Sequence, residues 1–190
     1  MTKAKARGRG QTWVALLRGV NLGSRNKISM PRLRELFGEL GYDDVQTYVQ
    51  SGNVLFRSPT PRRKLTHEVE SEIRRRFGLE ISVLLRSRSE LRATVAGNPF
   101  AERQSDPTKL HVTFLAGAPR RDRVAALQEK RFEPDEFRVT GNAVYLHCPQ
   151  GYGRSKLSNA FFEQQLGVGG TTRNWRTVTA LAELAGAYSS

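Results

Sequence analysis

The sequence predicts an α+β fold: two tandem ferredoxin-like subdomains of the βαββα type, closed by a C-terminal helix. Three observations carry this. Strand and helix periods alternate as βαββαβ as far as Leu85. The order β-α-β-β-α then recurs between Leu110 and Leu166. The 190-residue chain is 38% hydrophobic and 26% charged, which supplies packed cores and excludes a wholly disordered chain. The expected bounds are a disordered basic tail at 1–11, a first subdomain at 12–97 and a second, with the closing helix, at 98–190.

The elements follow in order. Met1 to Gly10 is rich in Lys, Arg and Gly, and no apolar segment of signal-peptide length follows it. Trp13 to Leu17 is an apolar run ended by Gly19, a buried strand. Asn21, Gly23, Ser24 and Asn26 form a loop. Ser29 is a good N-cap and Pro31 suits a first helical turn. Leu33, Leu36, Phe37 and Leu40 recur at helical spacing, and Gly41 stops the helix. Val45 to Val49 and Val54 to Phe56 are strands joined by the Gln50–Asn53 loop. Leu65, Val69, Ile73 and Phe77 mark a second amphipathic helix ended by Gly78, and Ile81 to Leu85 is a strand.

Ser87 or Ser89 caps a short helix through Val95, and Gly97 to Pro107 is turn and loop. Leu110 to Leu115 is a strand. A helix begins near Pro119. Glu136 to Val139 and Ala143 to His147 flank a Thr140-Gly141-Asn142 turn. Leu157 to Leu166 is a helix entered through Gly151 to Ser155. Trp175 to Ala187 is the closing helix, with Val178, Leu181 and Leu184-Ala185 as its apolar stripe.

The formal charge is +13. Residues 1–97 carry 19 Lys and Arg against nine Asp and Glu, and residues 98–190 carry 12 against nine. The basic first half suggests a polyanion partner, centred on the helix that holds Arg62, Arg63, Lys64, Arg74, Arg75 and Arg76. A generic basic surface gives the same composition. The single cysteine, Cys148, forbids an internal disulfide and fits a reducing cytoplasm. No apolar run approaches the length of a spanning helix, so a cytoplasmic monomer without a membrane partner is expected. His67, His111 and His147 lack metal-ligand spacing. No zinc-protease, nucleophile-elbow or dinucleotide fingerprint occurs, so no metal and no cofactor is expected.

Several ordered motifs carry a resemblance. They are Ala15-Leu-Leu-Arg-Gly-Val-Asn-Leu-Gly23 with Lys27 and Met30, and Thr47-Tyr-Val-Gln-Ser-Gly-Asn-Val-Leu-Phe56. Further along come Asn98-Pro99-Phe100, Lys109-Leu-His-Val-Thr-Phe-Leu115, Ser155-Lys156-Leu157 and Thr171-Thr172-Arg173-Asn174-Trp175. Together the chain resembles the bacterial domain-of-unknown-function family 1697 (DUF1697) over nearly all of Thr12 to Leu184. The resemblance implies two ferredoxin-like α+β subdomains in tandem and no established activity.

Three constellations are candidate sites. Gly151 to Lys156, leading toward a helix, offers backbone N–H groups, the Ser155 hydroxyl and the Lys156 charge to a phosphate or carboxylate. Its spacing is not that of a P-loop, and Ser155 as an ordinary N-cap is the alternative. Thr171 to Asn174 is dense in donors. Arg173 can hold an oxyanion bidentately, with Thr172 and Asn174 beside it; alternatively Thr172 or Asn174 caps the last helix. Arg18 and Asn21, with Gln50, Ser51 and Asn53, form the third. Turn geometry is the alternative for the two asparagines, and an ion pair for Arg18. Arg18, Asn21, Gln50, Asn53, Lys156 and Arg173 are expected to meet in a cleft between the halves.

These readings favour binding of a phosphate-bearing ligand, either nucleic acid or a phosphorylated, nucleotide-like small molecule. An enzyme acting on a small anionic metabolite, through Arg18, Lys156 and Arg173, is the second reading. An interaction module without a ligand is the third. RNA binding on an open sheet would need aromatics, and only Phe56 and Phe114 are offered.

Overall fold

The computed structural model describes residues 10–187. Residues 1–9, most of the expected disordered tail, lie outside the described residues. Gln11, read as tail, instead opens the first strand opposite Ser58. The chain is a mixed α/β protein with two four-stranded antiparallel sheets. It divides into two compact units, one running to Ser89 and taking in residues from Glu183, the other spanning Glu90–Ala182.

The first unit runs β1 (Gln11–Leu17), α1 (Met30–Glu39), β2 (Asp43–Tyr48), β3 (Asn53–Ser58), α2 (Arg62–Phe77) and β4 (Val83–Ser87). Its strands lie in the order β2-β3-β1-β4, all antiparallel. Side chains alternate across a strand. Trp13, Ala15 and Leu17 of β1, Val54 and Phe56 of β3, and Val83 and Leu85 of β4 therefore share one face. They join Leu33, Leu36 and Phe37 of α1 and Leu65, Val69 and Ile73 of α2 in one core. Val14, Leu16 and Leu55 on the opposite face are also fully buried. That two-faced burial explains why these strands read as continuous apolar runs rather than alternating ones.

Helix ends follow the chemistry of their residues. Pro31 sits in the first turn of α1, where its missing N–H leaves no bond unmade. Ser29 is the N-cap residue, yet its side chain makes no capping bond. Gly78 ends α2 in the left-handed conformation, and its N–H donates to the Arg74 carbonyl at 2.9 Å. β2 starts two residues earlier than Val45 and is bulged between Asp43 and Gln46. Val49 is not strand but turn, with φ of 49°.

The second unit is entered within α3 (Arg88–Ala96). A 3-10 turn over Pro107–Lys109 leads to β5 (Leu110–Leu115), then α4 (Arg121–Gln128), β6 (Glu136–Thr140) and β7 (Ala143–His147). A second 3-10 turn, Tyr152–Arg154, precedes α5 (Asn159–Leu166), β8 (Gly170–Asn174) and α6 (Trp175–Ala187), whose residues from Glu183 belong to the first unit. The sheet order is β6-β7-β5-β8, again all antiparallel. Leu115, Val144, Leu146 and Cys148 pack with Leu127 of α4 and Phe162 and Leu166 of α5. The two sheets match in register. Arg86 on β4 stands opposite Val14, Arg173 on β8 stands opposite Val112, and both arginines are buried.

β4 runs Val83–Ser87 rather than Ile81 to Leu85, and two elements of the second unit also differ from the sequence reading. Thr171 to Asn174, read as a donor-dense run and assigned to no strand, belongs to β8 and completes the second sheet. And α5 begins at Asn159, not Leu157, because Ser158 is its cap and accepts from the Phe161 N–H at 3.2 Å.

Candidate functional site

In the first unit, Arg18 and Asn21 follow the end of β1, and Gln50 to Gly52 turn from β2 into β3. Arg18 is exposed, and its backbone N–H donates to the Ser82 carbonyl. Asn21 adopts a left-handed φ of 57°, which Asn tolerates better than other side chains with a Cβ. Its Nδ2 donates to the Ile28 carbonyl at 2.9 Å and the Gln50 carbonyl at 2.8 Å. Its Oδ1 accepts from the Ile28 N–H at 3.0 Å. The whole amide is thus used to clasp one loop to another. Asn53 is fully buried, with its Nδ2 donating to the Tyr48 carbonyl and to the Ser51 hydroxyl. Gly52, at φ of 75°, permits this clasp, and its carbonyl accepts from the Leu17 N–H at 2.9 Å. A Cβ there would stand 3.0 Å from the Leu17 Cβ and 3.2 Å from that of Val20. Of this constellation the clasp absorbs the side-chain amides of Asn21 and Asn53 and the Ser51 hydroxyl. Arg18 and Gln50 face solvent.

In the second unit, β8 separates neighbours in sequence. Thr171 and Arg173 point to one side of the sheet and Thr172 to the other, so Thr172 and Arg173 do not line one site. Arg173 is only 6% exposed. Its Nη1 donates to the Thr171 hydroxyl at 2.8 Å and the Thr172 carbonyl at 3.0 Å, and burial lowers its pKa to about 10. Asn174 caps α6, accepting from the Thr177 N–H at 2.8 Å.

Thr172 sits in a partly buried polar chain that the sequence did not reveal. The Tyr152 hydroxyl donates to Thr172 Oγ1 at 3.3 Å, which reaches Asn159 Oδ1 at 3.4 Å and lies 2.8 Å from Thr113 Oγ1. Asn159 Nδ2 then donates to the Gly170 carbonyl, and the Glu163 carboxylate accepts from the Gly170 N–H. Side chains of α5 thereby hold the start of β8. His111, beside Thr113 on the same face of β5, stacks on Tyr152 with ring centroids 4.6 Å apart. Its Nδ1 is buried without a hydrogen-bond partner. Burial lowers the His111 pKa to about 4, keeping the imidazole neutral. Cys148 is buried in the adjoining core, and its thiol is pushed up to about 11 by burial. A thiol so placed is a poor nucleophile.

The Gly151–Lys156 segment lies ahead of the capped end of α5 and folds on itself. The Arg154 N–H donates to the Gly151 carbonyl, the Ser155 N–H to the Tyr152 carbonyl, and the Leu157 N–H to the Ser155 hydroxyl. Ser155 is therefore not the helix cap. With the segment Arg131 to Asp135 it forms an open groove of about 360 Å³. Arg131, Arg154, Lys156 and Ser155 line it, and Glu133 and Asp135 face the same space. Arg131 has no signal in the sequence, since it lies in a loop at no recognisable spacing from Lys156.

Elsewhere the structure qualifies the surface readings. Arg74 pairs with Glu80, Arg75 with Glu72, and Arg76 with both Glu72 and Glu39. Hydrogen bonds from Arg75 hold the Glu72 carboxyl below its usual range. Arg62 lies over the Trp13 ring at 5.1 Å. The basic face of α2 is therefore largely neutralised by its own neighbours. Phe56 and Phe114 are fully buried and offer no stacking platform to a base. Among the described residues, no group of three or more His, Cys, Asp or Glu is placed to hold a metal ion, and no helix is long and apolar enough to cross a membrane.

Comparison with known proteins fits this arrangement. No curated protein matches the chain. A conserved bacterial protein from Streptococcus pneumoniae has a similar solved structure, with a TM-score of 0.74 at 21% sequence identity. The alignment covers 92% of this chain and 98% of that one, and at such identity it speaks for the fold alone. The sequence profile described as "Protein of unknown function (DUF1697)" matches residues 11–145. The chain therefore belongs to the DUF1697 family, whose function is unknown.

Proposed function

We propose that the protein is a tandem of ferredoxin-like units that binds a phosphate-bearing ligand, with the phosphate seated in the groove between Arg131–Asp135 and Gly151–Lys156. The tandem reading is supported by the equal strand orders of the two sheets and by the matched positions of Arg86 and Arg173. The binding reading is carried by one observation: three cationic residues, Arg131, Arg154 and Lys156, line a single groove together with Ser155. Phosphate oxygens accept strong, charge-assisted hydrogen bonds from such donors, and Arg presents two at once. The carboxylates Glu133 and Asp135, on the same wall as Arg131, oppose a free anion and favour a ligand that also carries donors, as a nucleotide does. The buried free thiol of Cys148 supports a reducing, cytoplasmic setting.

The test is isothermal titration of the full chain with inorganic pyrophosphate and with a nucleoside triphosphate. An Arg154→Ala/Lys156→Ala variant is expected to lose affinity by at least about tenfold, on the order of one lost charged contact of roughly 1.5 kcal/mol. Equal affinity of variant and parent, or no heat from either ligand, sinks the reading.

A further inference from the structure

We propose that the turns carrying Leu22 and Val49 form a peripheral contact for an anionic lipid surface. Leu22 is 65% exposed and Val49 47% exposed. Single apolar residues on a surface are ordinary. These two differ because the fold brings them together and holds one of them under strain. The Asn21 amide donates to the Gln50 carbonyl at 2.8 Å, so the residues next to each, Leu22 and Val49, lie at one edge of the first unit.

Val49 sits at φ of 49°. A β-branched side chain is a genuine outlier there, where Gly or Asn would be relaxed. The strain is held by bonds on both sides: Asn21 to Gln50, and Asn53 Nδ2 to the Tyr48 carbonyl at 3.0 Å. An unfavourable backbone is thus spent on presenting an aliphatic side chain to solvent, which folding alone gives no reason to do.

The charge around the pair selects the partner. Arg18, Arg25 and Lys27 are all exposed on the first turn, and neither residues 18–34 nor residues 45–56 contain Asp or Glu. Nucleic acid would meet the cations but gain little from Leu or Val, since bases stack on flat π systems. A folded acidic protein would need a hollow shaped for two projecting tips. A lipid surface needs no such shape: its interface accepts projecting apolar side chains, and its phosphates and carboxylates attract Arg and Lys beside them. Contact would be peripheral, since among the described residues no helix can cross a membrane.

The experiment is co-sedimentation of the full chain with vesicles of equimolar phosphatidylcholine and phosphatidylserine, against phosphatidylcholine alone. Pelleting is expected only with the mixed vesicles. Leu22→Ser, Val49→Asn and Arg25→Glu should each lower partitioning by about fivefold or more. Val49→Asn should also raise the melting temperature, because Asn relaxes the left-handed backbone. No pelleting, or pelleting that Leu22→Ser leaves unchanged, overturns the proposal. So does a Val49→Asn variant that melts lower, since the valine would then serve the fold. Binding of an acidic, leucine-containing peptide without vesicle binding assigns the edge to a protein partner and likewise overturns it.

Discussion

The buried His111 makes stability depend on acid in a way that can be isolated. Its imidazole stacks on Tyr152 inside the second unit, and its pKa falls from 6.5 to about 4 in the fold. The unfolded chain therefore takes up this proton at a higher pH than the folded chain does. Stability from the neutral ring is complete above 6.5, is lost as pH falls toward 4, and changes no further below that. At 1.36 kcal/mol for each tenfold change in proton affinity, the interval corresponds to roughly 3 kcal/mol. The ring is almost fully buried, so solvent screening removes little of it. The control is His111→Phe, which preserves an aromatic contact with Tyr152 and cannot titrate. Urea unfolding of parent and variant at pH 7, 5.5 and 4 gives the difference free of carboxylates common to both. The parent should lose about 3 kcal/mol more than the variant between pH 7 and 4. A difference that stays flat with pH, or an NMR titration placing His111 near 6.5, refutes the reasoning.

Three further outcomes are expected. Gly52→Ala places a Cβ at φ of 75° and 3.0 Å from the Leu17 Cβ, and should cost about 2–3 kcal/mol in denaturant unfolding; a cost under about 0.5 kcal/mol would mean that the turn relaxes freely. Asn21→Ala removes the three bonds that clasp the Ile28 and Gln50 backbone, and should lower stability by about 2 kcal/mol while leaving pyrophosphate affinity unchanged. An affinity loss at unchanged stability would assign Asn21 to a ligand instead. Because Arg75 is paired with Glu72 in the open, Arg75→Ala should leave the denaturant midpoint unchanged and barely shift elution from a heparin column. A large shift in elution would restore α2 as a polyanion surface.

Much of the fold was legible because its strands are apolar on both faces. Leu110–Leu115 and Ala143–His147 stand where the sequence placed them, and Gly78 ends its helix as read. β8 was not legible. Gly170–Asn174 has no large apolar residue, and its burial comes from Thr171 and from a buried arginine, which no hydrophobic period reports. The start of α5 was misplaced because Ser155 and Ser158 are both competent caps, and only the fold decides which N–H groups each can reach. The candidate site was half legible. Ser155 and Lys156 line the groove, but Arg131 arrives from a loop distant in sequence. Thr172 and Arg173, adjacent in the chain, were separated by the strand's own alternation.

The lone cysteine has a practical consequence. Cys148 lies in the core of the second unit, the first unit contains no thiol, and Trp13 and Trp175 fall one to each unit. A thiol reagent added to the native protein therefore acts as a clock for transient opening of the second unit alone. Labelling must wait for Cys148 to be uncovered, so its rate measures how often that core breathes. Under conditions where closing outpaces labelling, the ratio to the rate for an open thiol gives the free energy of that opening. Set against the fluorescence of a Trp175→Phe variant, which reports from Trp13, the same clock tells whether the two units open as one or in turn. No label needs to be engineered to ask the question.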